Sequence, residues 1–159
     1  MPNWCLNRVN VFHRDAQKVA DLKAAIAKTE FCVYFLPLNN GKWSIDAACA
    51  TWGTKWDIGE AVVAPQDHPN YLSFSFQSAW SPPHLVYEHM IQNGWELTAQ
   101  FFEPGVGFIG KHRDKNSTMI SNYYEFDKPI PKELGDVFDL KEYEFDLNNG
   151  FYVSNSKNT

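Results

Sequence analysis

The order of hydrophobic periods along the chain predicts an α+β fold, a sheet with helices packed on one of its faces. Three observations carry this. Separate segments alternate apolar and polar residues with a period of two, as half-buried strands do. Between them the spacing changes to that of one helix face. The changes of period fall at residues that cap or stop helices. The stretch Tyr71–Gly94 shows all three. Leu72, Phe74 and Phe76 alternate with Tyr71, Ser73, Ser75 and Gln77. Ser81-Pro82-Pro83 then supplies a capping hydroxyl and prolines suited to a helix start, Leu85, Val86, Met90 and Ile91 form a helix face, and Asn93-Gly94 stops it.

Taken in order, Trp4 to Phe12 reads as a first strand, with Cys5, Asn7, Val9 and Val11 on one face and Leu6, Arg8, Asn10 and Phe12 on the other. Asp15 caps a helix that carries Val19, Leu22 and Ile26. Phe31 to Leu38, ended by Pro37, reads as an extended connector, and Asn39-Asn40-Gly41 as a turn. Ile45 to Ala50 suits a short helix stopped at Gly53, and Lys55 to Ala64 a second strand. Strand three starts at Tyr71 after the loop Pro65–Asn70. Trp95 to Phe102 alternates again, with Trp95, Leu97, Ala99 and Phe101 opposite Glu96, Thr98, Gln100 and Phe102. Glu103-Pro104-Gly105 turns the chain into strands at Val106–Lys111 and Ser117–Phe126, Pro129–Leu140 has room for a short helix, and the last residues read as frayed. The core order is β-α-β-β-α-β, the ferredoxin-like or split βαβ motif. Two helices cover one sheet face. The reading is of one domain, 1–159, with the core in 1–110 and residues 111–159 extending the sheet or capping it.

The 159 residues suffice for one buried core, and an aromatic content of 16% can stabilise it well. A net charge of −5 argues against broad electrostatic binding of nucleic acid, which needs a basic face. Cys5, Cys32 and Cys49 are odd in number and lack C-x-x-C spacing, which speaks for a reducing cytosol and against a disulfide framework or a cysteine zinc site. The N-terminal residues show no signal-peptide run and no segment has the length of a membrane span, so a cytoplasmic protein without a membrane partner is expected.

Four motifs occur in order: MPNWCLNRV at the start, WGTKWD at Trp52–Asp57, AWSPP at Ala79–Pro83 and EPGVGFIG at Glu103–Gly110. Together they resemble the YubB-type ferredoxin-like family of phage-, plasmid- and island-borne proteins. The resemblance spans residues 1 to about 110. It implies the ferredoxin-like fold and a mobile-element setting inside a bacterial host, and it implies no activity. Thr51 stands where the family has Asn before WGTKWD, and Asn39 where it has a second proline after Pro37.

Sorting the strand faces yields the candidate site. With Val9, Val11, Leu72, Phe74, Phe76, Trp95, Leu97 and Phe101 turned to the helices, the opposite face carries Arg8, Asn10, Tyr71, Ser73, Ser75, Gln77, Glu96, Thr98 and Gln100. Three readings of that polar face stand side by side: a solvated sheet face, a face covered by the C-terminal segment with its polar groups paired, and a platform for a ligand or partner organised by Arg8, whose rigid fork suits carboxylate or phosphate. Arg8, Asn10 and Gln77 are the binding candidates on this face. RNA recognition through the sheet fits poorly, because Phe74 and Phe76 point at the helices and leave only Tyr71 to stack on bases. In WGTKWD, Trp52, Lys55 and Asp57 are further binding candidates, where the indoles of Trp52 and Trp56 with Lys55 could clamp a planar or anionic group; the competing account buries the indoles and uses Asp57 in a pair or a turn.

Enzyme signals are weak. Gly105-Val106-Gly107-Phe108-Ile109-Gly110 matches G-x-G-x-x-G, but the context is strand-turn-strand, and a dinucleotide site needs glycines that open a helix. His84 and His89 are five apart, about 140° around a helix, and cannot share an ion. No catalytic residue, metal or cofactor is assigned. The leading expectation is a non-catalytic binding protein of a phage or mobile element that captures a host protein or small anionic ligand, with antagonism of host defence as its setting. The alternative is a metal-independent enzyme or nucleotide-handling protein that uses Arg8, Lys55 and Asp57 in a cleft near the WGTKWD loop. A homodimer formed edge to edge or face to face is compatible with the pattern.

Overall fold

The computed structural model describes residues 3–140 and 143–154; of the fraying expected over 154–159, Ser154 instead ends a strand, paired with Tyr143, and the rest lies outside the described residues. Strand β1 spans Trp4–Phe12, and alternates in burial as its sequence does. Helix α1, Ala16–Ala27, is capped by the Asp15 carboxylate, which accepts from the Gln17 N–H, and it buries Val19, Leu22 and Ile26. After helix α3, Ile45–Trp52, Gly53 takes the left-handed conformation that ends it, φ 82°. Strand β3, Tyr71–Ala79, leads to helix α4, His84–Gln92, and then to strand β4, Glu96–Glu103. Strands β5, Phe108–Lys115, and β6, Thr118–Glu125, follow as a hairpin.

Four local expectations need correction. Residues 31–38 do not form an extended connector: Phe31–Phe35 is a helix, α2. Its own flanking residue Glu30 offers no side-chain cap. The cap comes from far along the chain, where the Asp57 carboxylate accepts the N–H groups of Cys32 at 2.8 Å and Val33 at 2.9 Å. Strand β2 is correspondingly short, Gly59–Val63. Residues 55–57 bend instead of extending, because Asp57 is turned to α2 and the Thr54 hydroxyl donates to the Ala79 carbonyl. Ser81 does not cap α4, whose N-cap position is Pro83; its hydroxyl donates to the carbonyl of Gly53 and joins the two motifs WGTKWD and AWSPP. Residues 106 and 107 belong to the turn, so β5 starts at Phe108 and runs beyond Lys111 to Lys115.

The sheet has six strands in the order β2-β3-β1-β4-β5-β6, with every neighbouring pair antiparallel. The class is α+β. The expected motif has four strands, whereas here β5 and β6 continue the sheet beyond β4. Strands β7, Ile130–Pro131, β8, Tyr143–Asp146, and β9, Phe151–Ser154, make a separate small sheet in the order β7-β9-β8, with a one-turn helix α5 at Lys132–Gly135.

The helices pack on one face of the large sheet. Val9, Val11, Leu72, Phe74, Phe76, Leu97 and Ala99 meet Val19, Leu22 and Ile26 of α1, Phe31 of α2, Trp52 of α3 and Val86, Tyr87 and Met90 of α4. Phe74 and Trp95 lie in this one core, so the sidedness read from the sequence holds. Phe31 touches the rings of Phe74, Phe76 and Tyr87, which makes α2 a plug in the middle of the core; burying a side chain of that size contributes roughly 1.5–3 kcal/mol. Asn7, buried on this face, is satisfied: it donates to the Cys5 carbonyl and the Ser78 hydroxyl and accepts from Tyr87.

A second core lies on the opposite face. Ile109 of β5, together with Ile130, Leu134, Phe138 and Leu140, packs against Phe102, Tyr124, Phe126 and Tyr152. The Phe102 ring stacks on Phe126 and Phe138 at 5.5 and 5.3 Å. The C-terminal segment thus both lengthens the sheet and caps its far face over β4, β5 and β6.

Candidate functional site

The polar face is therefore divided. Its β4–β6 side is roofed by the C-terminal cap, and the strip over β1 and β3 stays open. Arg8 marks the border. The β1 register places it between Ser75 of β3 and Gln100 of β4, with Asn10 between Ser73 and Thr98 in the next row. Residues two apart on a strand share a face, so the row and its neighbour form one surface.

A cleft of about 430 Å³ opens on this surface, lined by Arg8, Asn10, Ser73, Ser75 and Gln100, with Val62, Ala64 and Val137 as apolar walls. Among the described residues no carboxylate lines it. The Arg8 guanidinium carbon sits 5.9 Å from the centre of the Phe138 ring, and among the described residues the group has neither an ion pair nor a hydrogen bond. Asn10 accepts through Oδ1 from the Tyr71 hydroxyl at 2.9 Å and from the Ser73 hydroxyl, which leaves its amide N–H groups for the cleft. The Ser75 hydroxyl and the Gln100 amide are likewise without side-chain partners among the described residues. The result is a concave site rich in donors, with an exposed cation at its border. A smaller hollow beyond Arg8 is lined by Leu6, Glu60, Gln77 and Phe138, and there the Gln77 amide donates to Glu60 at 3.1 Å. Gln77 thus flanks the cleft and is already engaged.

The other candidates lie elsewhere. Trp52 is 3% exposed and donates from Nε1 to the Leu36 carbonyl at 2.7 Å, so it is a core residue. Asp57 holds three N–H groups, those of Cys32, Val33 and Ile58, so its carboxylate is spent on the fold. Lys55 lies on a different cluster, 4.5 Å from the Trp56 ring centre and 4.8 Å from that of Trp80. Trp4 stands against Trp56 and pairs with Ala79, four positions along β1 from Arg8, roughly 13 Å away at strand rise. Arg8, Lys55 and Asp57 therefore share no cleft.

Two features answer the enzyme motifs. The glycines of Glu103–Gly110 serve packing: a side chain at Gly110 would run into the Phe101 ring and the Asn122 carbonyl. Buried Glu103 accepts from the N–H groups of Gly105 and Val106 at 2.7 and 2.6 Å and closes the turn. The Cys5 thiol is pushed up to about 12, chiefly by burial and then by Glu103, which holds it in the un-ionised, unreactive form. Among the described residues no cluster of three or more His, Cys, Asp or Glu is placed to hold a metal ion, and no helix is long and apolar enough to cross a membrane.

Sequence reasoning reached Arg8, Asn10, Ser73, Ser75 and Gln100 through strand parity. It missed Val137 and Phe138, which come from the cap and carry no local signal, and Val62 and Ala64, whose position follows from the bulge in β2 between Gly59 and Val62. Compared with family models, curated proteins and solved structures, the chain finds no match in any of the three.

Proposed function

We propose that the protein is a non-catalytic binding module whose cleft at Arg8 captures an anionic group, a carboxylate or a phosphate, borne by a small ligand or by a host protein. One observation carries this reading. An arginine with no ion pair among the described residues stands at the border of a concave site whose other polar groups, Asn10, Ser75 and Gln100, have donors to spare, and among the described residues the carboxylates near it, Glu60, Asp136 and Asp139, line other hollows. The guanidinium lies within cation–π range of the Phe138 ring, which favours its staying over the border of the cleft. Donors without acceptors recognise anions.

The strands β2-β3-β1-β4 with the helices between them support a ferredoxin-like reading of the core, to which β5 and β6 are added. Membership of the YubB-type family, a mobile-element origin, action in the cytoplasm of a bacterial host and antagonism of host defence rest on the resemblance of the four motifs. The enzyme alternative has less support, since the three residues it needs are apart.

The test is titration of the full chain with inorganic phosphate and with acetate, followed by amide shifts of Ser75 and Gln100. Saturable shifts in the natural chain, lost in Arg8→Ala and partly kept in Arg8→Lys, are expected. Arg8→Ala should cost at most about 1 kcal/mol of stability, the scale of an exposed cation–π contact. Unfolding of Arg8→Ala, or unchanged shifts in it, would overturn the reading.

A further inference from the structure

Three of the sequence motifs converge at the end of the sheet away from the anion cleft, and the cleft makes no use of them. Trp4 belongs to the first, Lys55 and Trp56 to the second, Trp80 to the third. Lys55 Nζ lies 4.5 Å from the centre of the Trp56 ring and 4.8 Å from that of Trp80, and the Trp4 ring backs Trp56 at 5.9 Å. The ammonium has no ion pair or hydrogen bond among the described residues; aromatic faces are its surroundings. Indole faces carry negative charge density and attract cations within about 6 Å of the ring centre.

The rings are held in place from outside the contact. Trp80 has φ 74°, a conformation that costs a bulky side chain energy and persists only where the surroundings impose it. Here they do: its N–H donates to the Asn3 carbonyl at 2.8 Å, and the next residue, Ser81, is tied to Gly53. The Lys55 backbone is pinned by Trp43, whose Nε1 donates to its carbonyl at 3.0 Å. Yet Trp80 is 42% exposed, so the strain does not serve to bury the ring.

We infer that Trp56 and Trp80 form a recognition site for a quaternary or methylated ammonium group, occupied in the resting protein by the chain's own Lys55. The tethered ammonium shows that the gap between the rings suits a cation. A methylated ammonium is less hydrated than a primary one and contacts both rings more closely, so it displaces the lysine, which swings into solvent on its flexible stem. This site is separate from the anion cleft and opposite in its preference of charge, and it stands or falls independently of it.

The test uses the full chain, titrated with choline, with N-acetyl-trimethyllysine amide and with 3,3-dimethylbutanol, the uncharged isostere of choline, and read by indole fluorescence and indole N–H shifts. Choline and the lysine derivative separate a small-molecule source from a protein tail. The natural chain should bind at least one of the two ammonium probes saturably, Lys55→Ala should bind it about tenfold more tightly because the internal competitor is gone, and the neutral isostere should bind neither. Trp80→Ala in the Lys55→Ala background should abolish binding. If Lys55→Ala fails to fold, Lys55→Met replaces it with the stem kept and the charge removed. The inference is overturned if the lysine variant binds no more tightly than the natural chain, if the uncharged isostere binds equally well, or if only the variant binds, since Lys55 would then be a permanent part of the surface.

Discussion

His112 offers a quantitative test of the core. Its ring is 7% exposed, lies flat on Phe101 at 4.8 Å, and bonds the Ser121 hydroxyl through Nδ1 at 2.7 Å, while Nε2 has no partner among the described residues. Burial first, and then the neighbouring His84, lower its pKa from 6.5 to about 4. A group whose folded pKa is depressed takes up its proton first in the unfolded chain. Stability from this residue is therefore complete above pH 6.5 and is lost as the pH falls towards 4. The full gap of about 2.5 units corresponds to roughly 3.4 kcal/mol, and the part spent between pH 7 and 4.5 is about 2 kcal/mol. Urea unfolding of the natural chain and of His112→Gln at those two pH values measures it, with carboxylate effects cancelling in the difference. The natural chain should lose about 2 kcal/mol more than the variant over that interval. Equal losses, or an imidazole resonance for His112 that titrates near 6.5, would refute the reasoning.

Two further substitutions probe how distant parts of the chain hold each other. Asp57→Ala should destabilise the protein by about 2 kcal/mol and reduce helix content, since α2 loses the carboxylate on the N–H groups of Cys32 and Val33; a loss below about 0.5 kcal/mol in thermal unfolding would return Asp57 to the binding candidates. Gly110→Ala should cost about 1–3 kcal/mol by overpacking, because the added methyl meets the Phe101 ring and the Asn122 carbonyl; neutral behaviour in denaturant would show that β5 and β6 have room to part.

Much of the site was legible because strand parity is a local property. Alternation in 4–12, 71–79 and 96–103 decided which residues face the helices and which face away, and Arg8, Asn10, Ser75 and Gln100 fell on the same side before any pairing was known. The engagement of Trp52 and Asp57 within the fold was not legible, for the converse reason. A tryptophan and an aspartate next to a lysine look alike whether they face a ligand, the core or a helix end, and their partners, Leu36, Cys32 and Val33, lie about 16–25 residues away.

Local sequence was enough for the period of strands β1, β3 and β4 and of helices α1 and α4, the stop at Gly53, the cap at Asp15 and the side of the sheet on which the greasy residues lie. Each of these depends on neighbours within one turn or one strand. It took chain closure to make 31–35 a helix, to turn Ser81 to Gly53 instead of α4, and to bring Val137 and Phe138 of the C-terminal cap up to Arg8 while the strip over β1 and β3 stays open. Those outcomes depend on groups brought together by chain closure, where one carboxylate or one ring from a remote segment outweighs a local preference worth less than about 1 kcal/mol per residue.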